Sequence, residues 1–222
     1  MSAALAPRPP GRRAFARARW PAAAWLVLWT AAYARGYPLA NFLQLCDLAV
    51  ILTCIGLALG SPLLLSTQAL SSLVIDLVWD LDLAWRAATG HHLVGGTEYM
   101  WDSRYPVALR LFSLFHLAWP PLLWWALRQV GYDRRALVAQ SLLALVVLAV
   151  SRAVLPGSNL NFAQRDPFWH RSWGPASAHV ALTAVALVAV VYGPTHRLLA
   201  RVMPQPRPRA SVRTTSTSWE AV

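Results

Sequence analysis

Residues 136–155 read ALVAQSLLALVVLAVSRAVL, a run in which Arg152, near the end, is the sole charge. A helix rises 1.5 Å per residue and a bilayer core is about 30 Å thick, so a run of this length and apolarity is read as a membrane-crossing helix. Outward from it, further apolar stretches cover 20–34, 39–59, 63–85, 106–128 and 176–199. The pattern predicts an all-α polytopic membrane bundle of about six transmembrane helices.

Composition agrees. The 222 residues are 57% hydrophobic and 13% charged, yet carry a net charge of +11. Every basic residue is an arginine, and the arginines cluster between apolar runs rather than alternating with aromatics on a polar face. That distribution is membrane topogenic charge and argues against a nucleic-acid partner. Of the 12 tryptophans, Trp20, Trp85, Trp101, Trp169 and Trp173 fall near segment ends, where indole rings favour the headgroup level.

Residues 1–19 read as a disordered basic arm, 20–200 as the six-helix domain and 201–222 as a disordered basic tail. Arg12-Arg13-Ala14-Phe15 with Ala32-Tyr33-Ala34 also has the form of a cleaved signal; a short first helix describes 20–34 equally well. Arginine is denser in the arm, in 128–135 and in the tail than in the opposite loops, which places both termini in the cytoplasm. Loops 86–105 and 156–175 then lie outside. Gly60-Ser61-Pro62 is read as a turn, and Pro120-Pro121 is expected to kink or locally unwind its helix. His91-His92 is read as a solvated loop pair and Gly95-Gly96 as a flexible turn.

Ionisable groups inside apolar segments cost about 2.5–3.5 kcal/mol each on insertion scales, so their positions carry information. Cys46, Asp47, Asp76, Asp80 and His116 all fall in the outer half of the bundle once segment directions are alternated. His179 joins the rim, Gln44 adjoins Cys46, and Asn159 and Asn161 cover the layer from the loop above. Cysteine with histidine is a nucleophile–base pair, an aspartate can orient the histidine, and the carbonyl substrate available in a bilayer is a lipid ester. The reading is Cys46 as nucleophile, His116 as base, and Asp47, Asp76 or Asp80 in support, with membrane lipid as partner. The alternatives are a proton-coupled transporter or relay through Asp76, Asp80 and His116, and a non-catalytic protein whose aspartates pair with Arg86, Arg110 or Arg152. Cys46 and Cys54 would lie about 12 Å apart along one helix, too far for a disulfide. No residue spacing calls for a metal or a cofactor.

The stretches Phe42-Leu43-Gln44-Leu45-Cys46-Asp47-Leu48-Ala49, Phe112-Ser113-Leu114-Phe115-His116, Gly131-Tyr132 and Gly157-Ser158-Asn159-Leu160-Asn161 occur in an order that resembles the YwaF-type bacterial membrane proteins. Those are similar to the eukaryotic transmembrane protein 164 group. The resemblance spans about residues 38–200. It implies a multi-helix fold in a bacterial inner membrane with an intramembrane cysteine and histidine, matched here by Cys46 and His116, and acyl transfer on glycerophospholipids. The loop His91–Asp102 has no counterpart in that pattern, and Leu160-Asn161 stands where an aromatic run is expected.

Overall fold

The computed structural model describes residues 14–206. These form helices α1 (Arg19–Gly36), α2 (Leu45–Leu59), α3 (Pro62–Thr89), α4 (Val107–Phe112), α5 (Phe115–Val130), α6 (Ala136–Val154), α7 (Ala176–Ala186) and α8 (Gly193–Val202). Short 3₁₀ turns cover Leu39–Leu43, Glu98–Met100 and Leu160–Phe162, and a π turn, Leu187–Tyr192, joins α7 to α8. There is no strand among the described residues.

Among the described residues four rods are long and apolar enough to cross a membrane: Pro62–Thr89, Val107–Val130, Ala136–Val154 and Ala176–Val202. The first two expected segments are helical as well, but fall outside that set. Helix α2 has 15 residues, about 22 Å at helical rise, and crosses less than the full hydrocarbon core by itself.

Helix α3 is the axis of the bundle. Of its most apolar 18-residue window 56% is buried, against 22% for Ala176–Val202. It packs most extensively on α5, then on α2 and α6. Its start is set locally. Gly60 takes the left-handed conformation (φ 60°) that ends α2, Ser61 Oγ accepts the Leu64 N–H at 3.3 Å, and Pro62 stands where no amide donor is needed. The hairpin closes tightly because Gly56 lacks a side chain: a Cβ there would stand 3.1 Å from Leu65.

Between helices in lipid, association rests on packing and polar contacts rather than on exclusion of water. Aromatic rings supply much of that packing here. Trp29, fully buried on α1, lies 4.3 Å from the Tyr33 ring and edge-on to Phe115 at 5.9 Å. Such pairs contribute about 0.5–1.5 kcal/mol each beyond their area. The segment that has the form of a cleavable signal is thus built into the core.

One expectation is corrected by the backbone: Pro120 and Pro121 do not unwind their helix. Helix α5 runs unbroken through Pro120 and Pro121, and the break falls earlier, at Ser113-Leu114 between α4 and α5. There the Ser113 carbonyl accepts both the His116 N–H (3.3 Å) and His116 Nδ1–H (2.7 Å), which holds the chain in a tighter turn. The last rod contains the π turn. Gly193 admits it: a Cβ at that position would meet the Val188 carbonyl oxygen at 2.9 Å.

The far end of the bundle is closed by Gly131-Tyr132. Gly131 has φ +90°, and a Cβ there would lie 2.6 Å from the backbone of Gln205 and Pro206. The Tyr132 N–H donates to Pro204 O at 2.7 Å, and its hydroxyl meets His196 Nδ1 at 2.7 Å. Met203 is buried there, so the first residues assigned to the tail pack on the bundle. At the other chain end Phe15 is buried edge-on against Trp125 at 5.5 Å. The remainder of the arm, 1–13, and of the tail, 207–222, lies outside the described residues.

Candidate functional site

Cys46 and Asp47 occupy the first turn of α2, and a distant side chain fixes where that turn begins. Asn161 sits in the left-handed region (φ 54°), accepts the Leu45 N–H on Oδ1 at 2.8 Å and donates from Nδ2 to Leu43 O at 2.8 Å. The Gln44 Oε1 accepts the Asn161 N–H in return, at 3.4 Å. The loop above the membrane segments thus supplies the cap that α2 lacks in its own sequence.

The next two residues form a directed chain. Asn41 Nδ2 donates to Asp47 Oδ2 at 2.8 Å, and Cys46 Sγ–H donates to Asp47 Oδ1 at 3.9 Å. Asp47 is buried and Cys46 half-buried. The backbone N–H groups of Cys46 and Asp47 face the thiol. Being in the first turn, neither has a carbonyl one turn back within the helix to bond.

A tyrosine cluster surrounds this pair. Tyr33 OH and Ser113 Oγ are 2.8 Å apart, and the rings of Tyr33, Tyr37 and Tyr105 follow one another at 5.0 and 5.5 Å. Tyr33, Tyr37 and Tyr99 all lie within electrostatic range of Asp47. Burial pushes the Tyr99 phenol up, with the Ser113 hydroxyl opposing, so Tyr99 is a neutral O–H in ordinary buffers.

His116 is buried in the same layer, stacked on Trp79 of α3 (4.3 Å, 12° between planes) and on Phe115 (4.0 Å). Its Nδ1–H is committed to Ser113 O, leaving Nε2 without a hydrogen bond among the described residues. The thiol's hydrogen-bond partner is therefore Asp47 and not the expected histidine. Asp76 and Asp80 flank Trp79 on the same helix face. Among the described residues neither oxygen of Asp76 has a hydrogen-bond partner, nor does Oδ1 of Asp80. Ser72, one turn back, stands beside Asp76 without reaching hydrogen-bonding geometry. Among the described residues the alternative arginine pairing is absent: Arg86 lies over the Trp101 ring, Arg110 donates to Met100 O at 2.7 Å, and Arg152 donates to Ala163 O and Gln164 O at 3.0 and 2.9 Å.

The residues expected to touch substrate have other engagements. Asn159 Oδ1 accepts the N–H groups of Gln164 and Arg165 at 3.0 and 2.9 Å, holding its own loop. His179 donates from Nε2 to Phe162 O (3.0 Å) and accepts the Trp173 N–H on Nδ1 (3.2 Å), so both ring nitrogens are used. Gln44 and Asn161 position α2.

Two carboxylates outside the expected site organise the covering loops. Asp82, fully buried, accepts the N–H groups of Leu93, Val94 and Gly95 at 2.7, 2.7 and 2.9 Å, His92 Nδ1–H at 2.9 Å and the Thr97 hydroxyl. His92 is thus a structural tie rather than a solvated residue. Asp166 accepts the N–H groups of Phe168, Trp169 and Arg171 and the Trp173 indole N–H. Burial opposes its charge, but these donors outweigh that and hold its carboxyl below the ordinary value. An aspartate shortly before or behind a glycine- or aromatic-rich loop is the signal that reading along the helices alone passes over.

No protein-family model, curated protein or solved structure matches this chain.

Proposed function

We propose that this chain is a multi-pass membrane protein that transfers or hydrolyses acyl groups of membrane lipid esters, with Cys46 as nucleophile and Asp47 as the group that receives its proton. The observation that carries the reading is the Asn41–Asp47–Cys46 chain: a nucleophile in contact with an acceptor that a third group orients. The resemblance of the same stretch to YwaF-type proteins points to the same residue. With both termini on the cytoplasmic side of a bacterial inner membrane, the centre addresses the outer leaflet.

The step balances simply. The thiol proton passes to Asp47 Oδ1 as Sγ bonds to the ester carbonyl carbon; the carbon–oxygen bond breaks, and the departing alcohol takes the proton back. A second alcohol or water then attacks the thioester carbonyl carbon while Asp47 takes its proton; the carbon–sulfur bond breaks and Sγ receives that proton, which restores the thiol. The Cys46 and Asp47 N–H groups, at the positive end of α2, are placed to meet the negative charge that develops on the carbonyl oxygen. Gln44 and Asn161 position this turn, and Asn159 and His179 hold the loop over it.

An electrophilic lipid-ester probe applied to the full chain in native-like lipid tests the reading. Cys46→Ser abolishes acylation although Cys54 remains, and Asp47→Asn slows it by about 10²-fold or more, as loss of a proton acceptor does. Acylation that survives Cys46→Ser overturns the proposal. If His116→Ala slows labelling as much as Asp47→Asn while the helices stay intact, the base is His116, acting through Nε2.

A further inference from the structure

Asp76 lies in the middle of the most deeply buried rod, fully out of solvent, and neither of its oxygens meets a donor among the described residues. Asp80, one turn and about 6 Å further along the helix, is half-buried with Oδ1 also unpartnered. A carboxylate removed from water without donors or a counter-charge costs several kcal/mol, and in a bilayer interior no solvent offsets this. The group needs something bound to it.

The surroundings say what. From α2, Cys46 is within electrostatic range of Asp76, and on α3 itself the acidic neighbour is Asp80, so neither side brings a positive charge. From α5, His116 is held against Trp79, with Nδ1 on Ser113 O. On the side of α6 and the π turn, Gln140 and the Tyr192 phenol, 3.4 Å from each other, meet Ser71, about 7.5 Å back along α3. No cationic side chain pairs with Asp76, and no three His, Cys, Asp or Glu residues stand together to enclose a metal ion among the described residues. The smallest ligand that neutralises one isolated carboxylate is a proton.

We infer that Asp76 is a buried proton-binding site, and that Asp80 connects it to the end of the bundle covered by loops 86–105 and 156–175. The site is separate from the acyl-transfer centre: Asp76 and Asp80 take no part in the Cys46–Asp47 step, so each can fail alone.

Infrared difference spectroscopy of the full chain in lipid, between acid and alkaline buffer, tests this. A protonated-carboxyl carbonyl band that shifts in heavy water is expected, and Asp76→Asn removes it. Asp76→Glu, which keeps the acid, moves the band without abolishing it, so the assignment does not hang on the folding of one variant. Cys46→Ser leaves the band in place while removing lipid labelling. Asp80→Asn retains the band and slows its hydrogen–deuterium exchange. A wild-type spectrum without the band, or one unchanged by Asp76→Asn, overturns the site. A band that disappears on adding sodium or potassium at fixed pH overturns it in favour of a metal-cation site. Exchange unaffected by Asp80→Asn overturns the route.

Discussion

Asp82 and Asp76 stand on the same helix, both fully buried, and could hardly differ more in company. Asp82 collects three backbone N–H groups, a histidine and a hydroxyl from residues 92–97, whereas Asp76 collects none. Burial alone therefore says little about what a carboxylate is for. A buried charge whose lone pairs are used has its purpose in the fold: it ties loop 91–105 to the end of α3. A buried carboxyl whose lone pairs are idle contributes nothing to that fold, and its presence in an apolar bundle points to a ligand.

The sharpest way to break this contrast is to delete the two groups separately. Asp82→Ala removes the acceptor shared by five donors and is expected to destabilise the protein by about 3–5 kcal/mol, the scale for removing one partner of a buried charged network. Denaturant unfolding in detergent, with proteolysis in 91–97 as a local reading, measures it. Asp76→Asn removes no hydrogen bond and is expected to stay within about 1 kcal/mol of wild type or to gain stability. Equal losses at the two positions would erase the distinction.

A middle-sized effect belongs to Asn161, which makes its bonds to the start of α2 from loop 156–175. Asn161→Ala should cost about 2 kcal/mol through loss of the cap and of the left-handed conformation asparagine tolerates. It should also lower lipid-probe labelling at Cys46 while the helical circular dichroism persists. Asn161→Gly, which keeps the backbone conformation but not the bonds, separates the two causes.

The smallest effect is set by pH. Asp166 has its carboxyl below the ordinary 3.8, so its contribution is complete above that value and is lost as pH falls through the lowered one. Trp169 and Trp173 fluorescence should report loop 166–173 loosening in strong acid, with no change between neutral pH and about pH 5. Loosening already at mildly acid pH would mean that the Asp166 donors do not hold it.

Much of the fold was readable along the chain because its cause is local. The length and apolarity of 63–85, 106–128, 136–155 and 176–199 set four spanning rods whose observed ends differ by a few residues, and Gly60-Ser61-Pro62 set the α2–α3 hairpin. The break in the fourth segment lies at Ser113 and not at the prolines, through one local and one distant cause. Two prolines remove two donors, but the turn at Ser113 is made by its carbonyl taking two bonds from His116 while its hydroxyl meets Tyr33 on α1.

The sequence by itself determined that these residues sit in an apolar helical bundle and that Cys46 adjoins Asp47, since composition and adjacency are properties of the chain. Tertiary structure decided the rest. It gave the thiol to Asp47 and not to His116, turned Gln44, Asn159, Asn161 and His179 into loop and cap ties, satisfied Asp82, and left Asp76 bare. The reason is the directionality of hydrogen bonds: whether a buried polar atom has a partner depends on groups brought within about 3 Å from other helices and loops, as far as 118 positions away between Leu43 and Asn161.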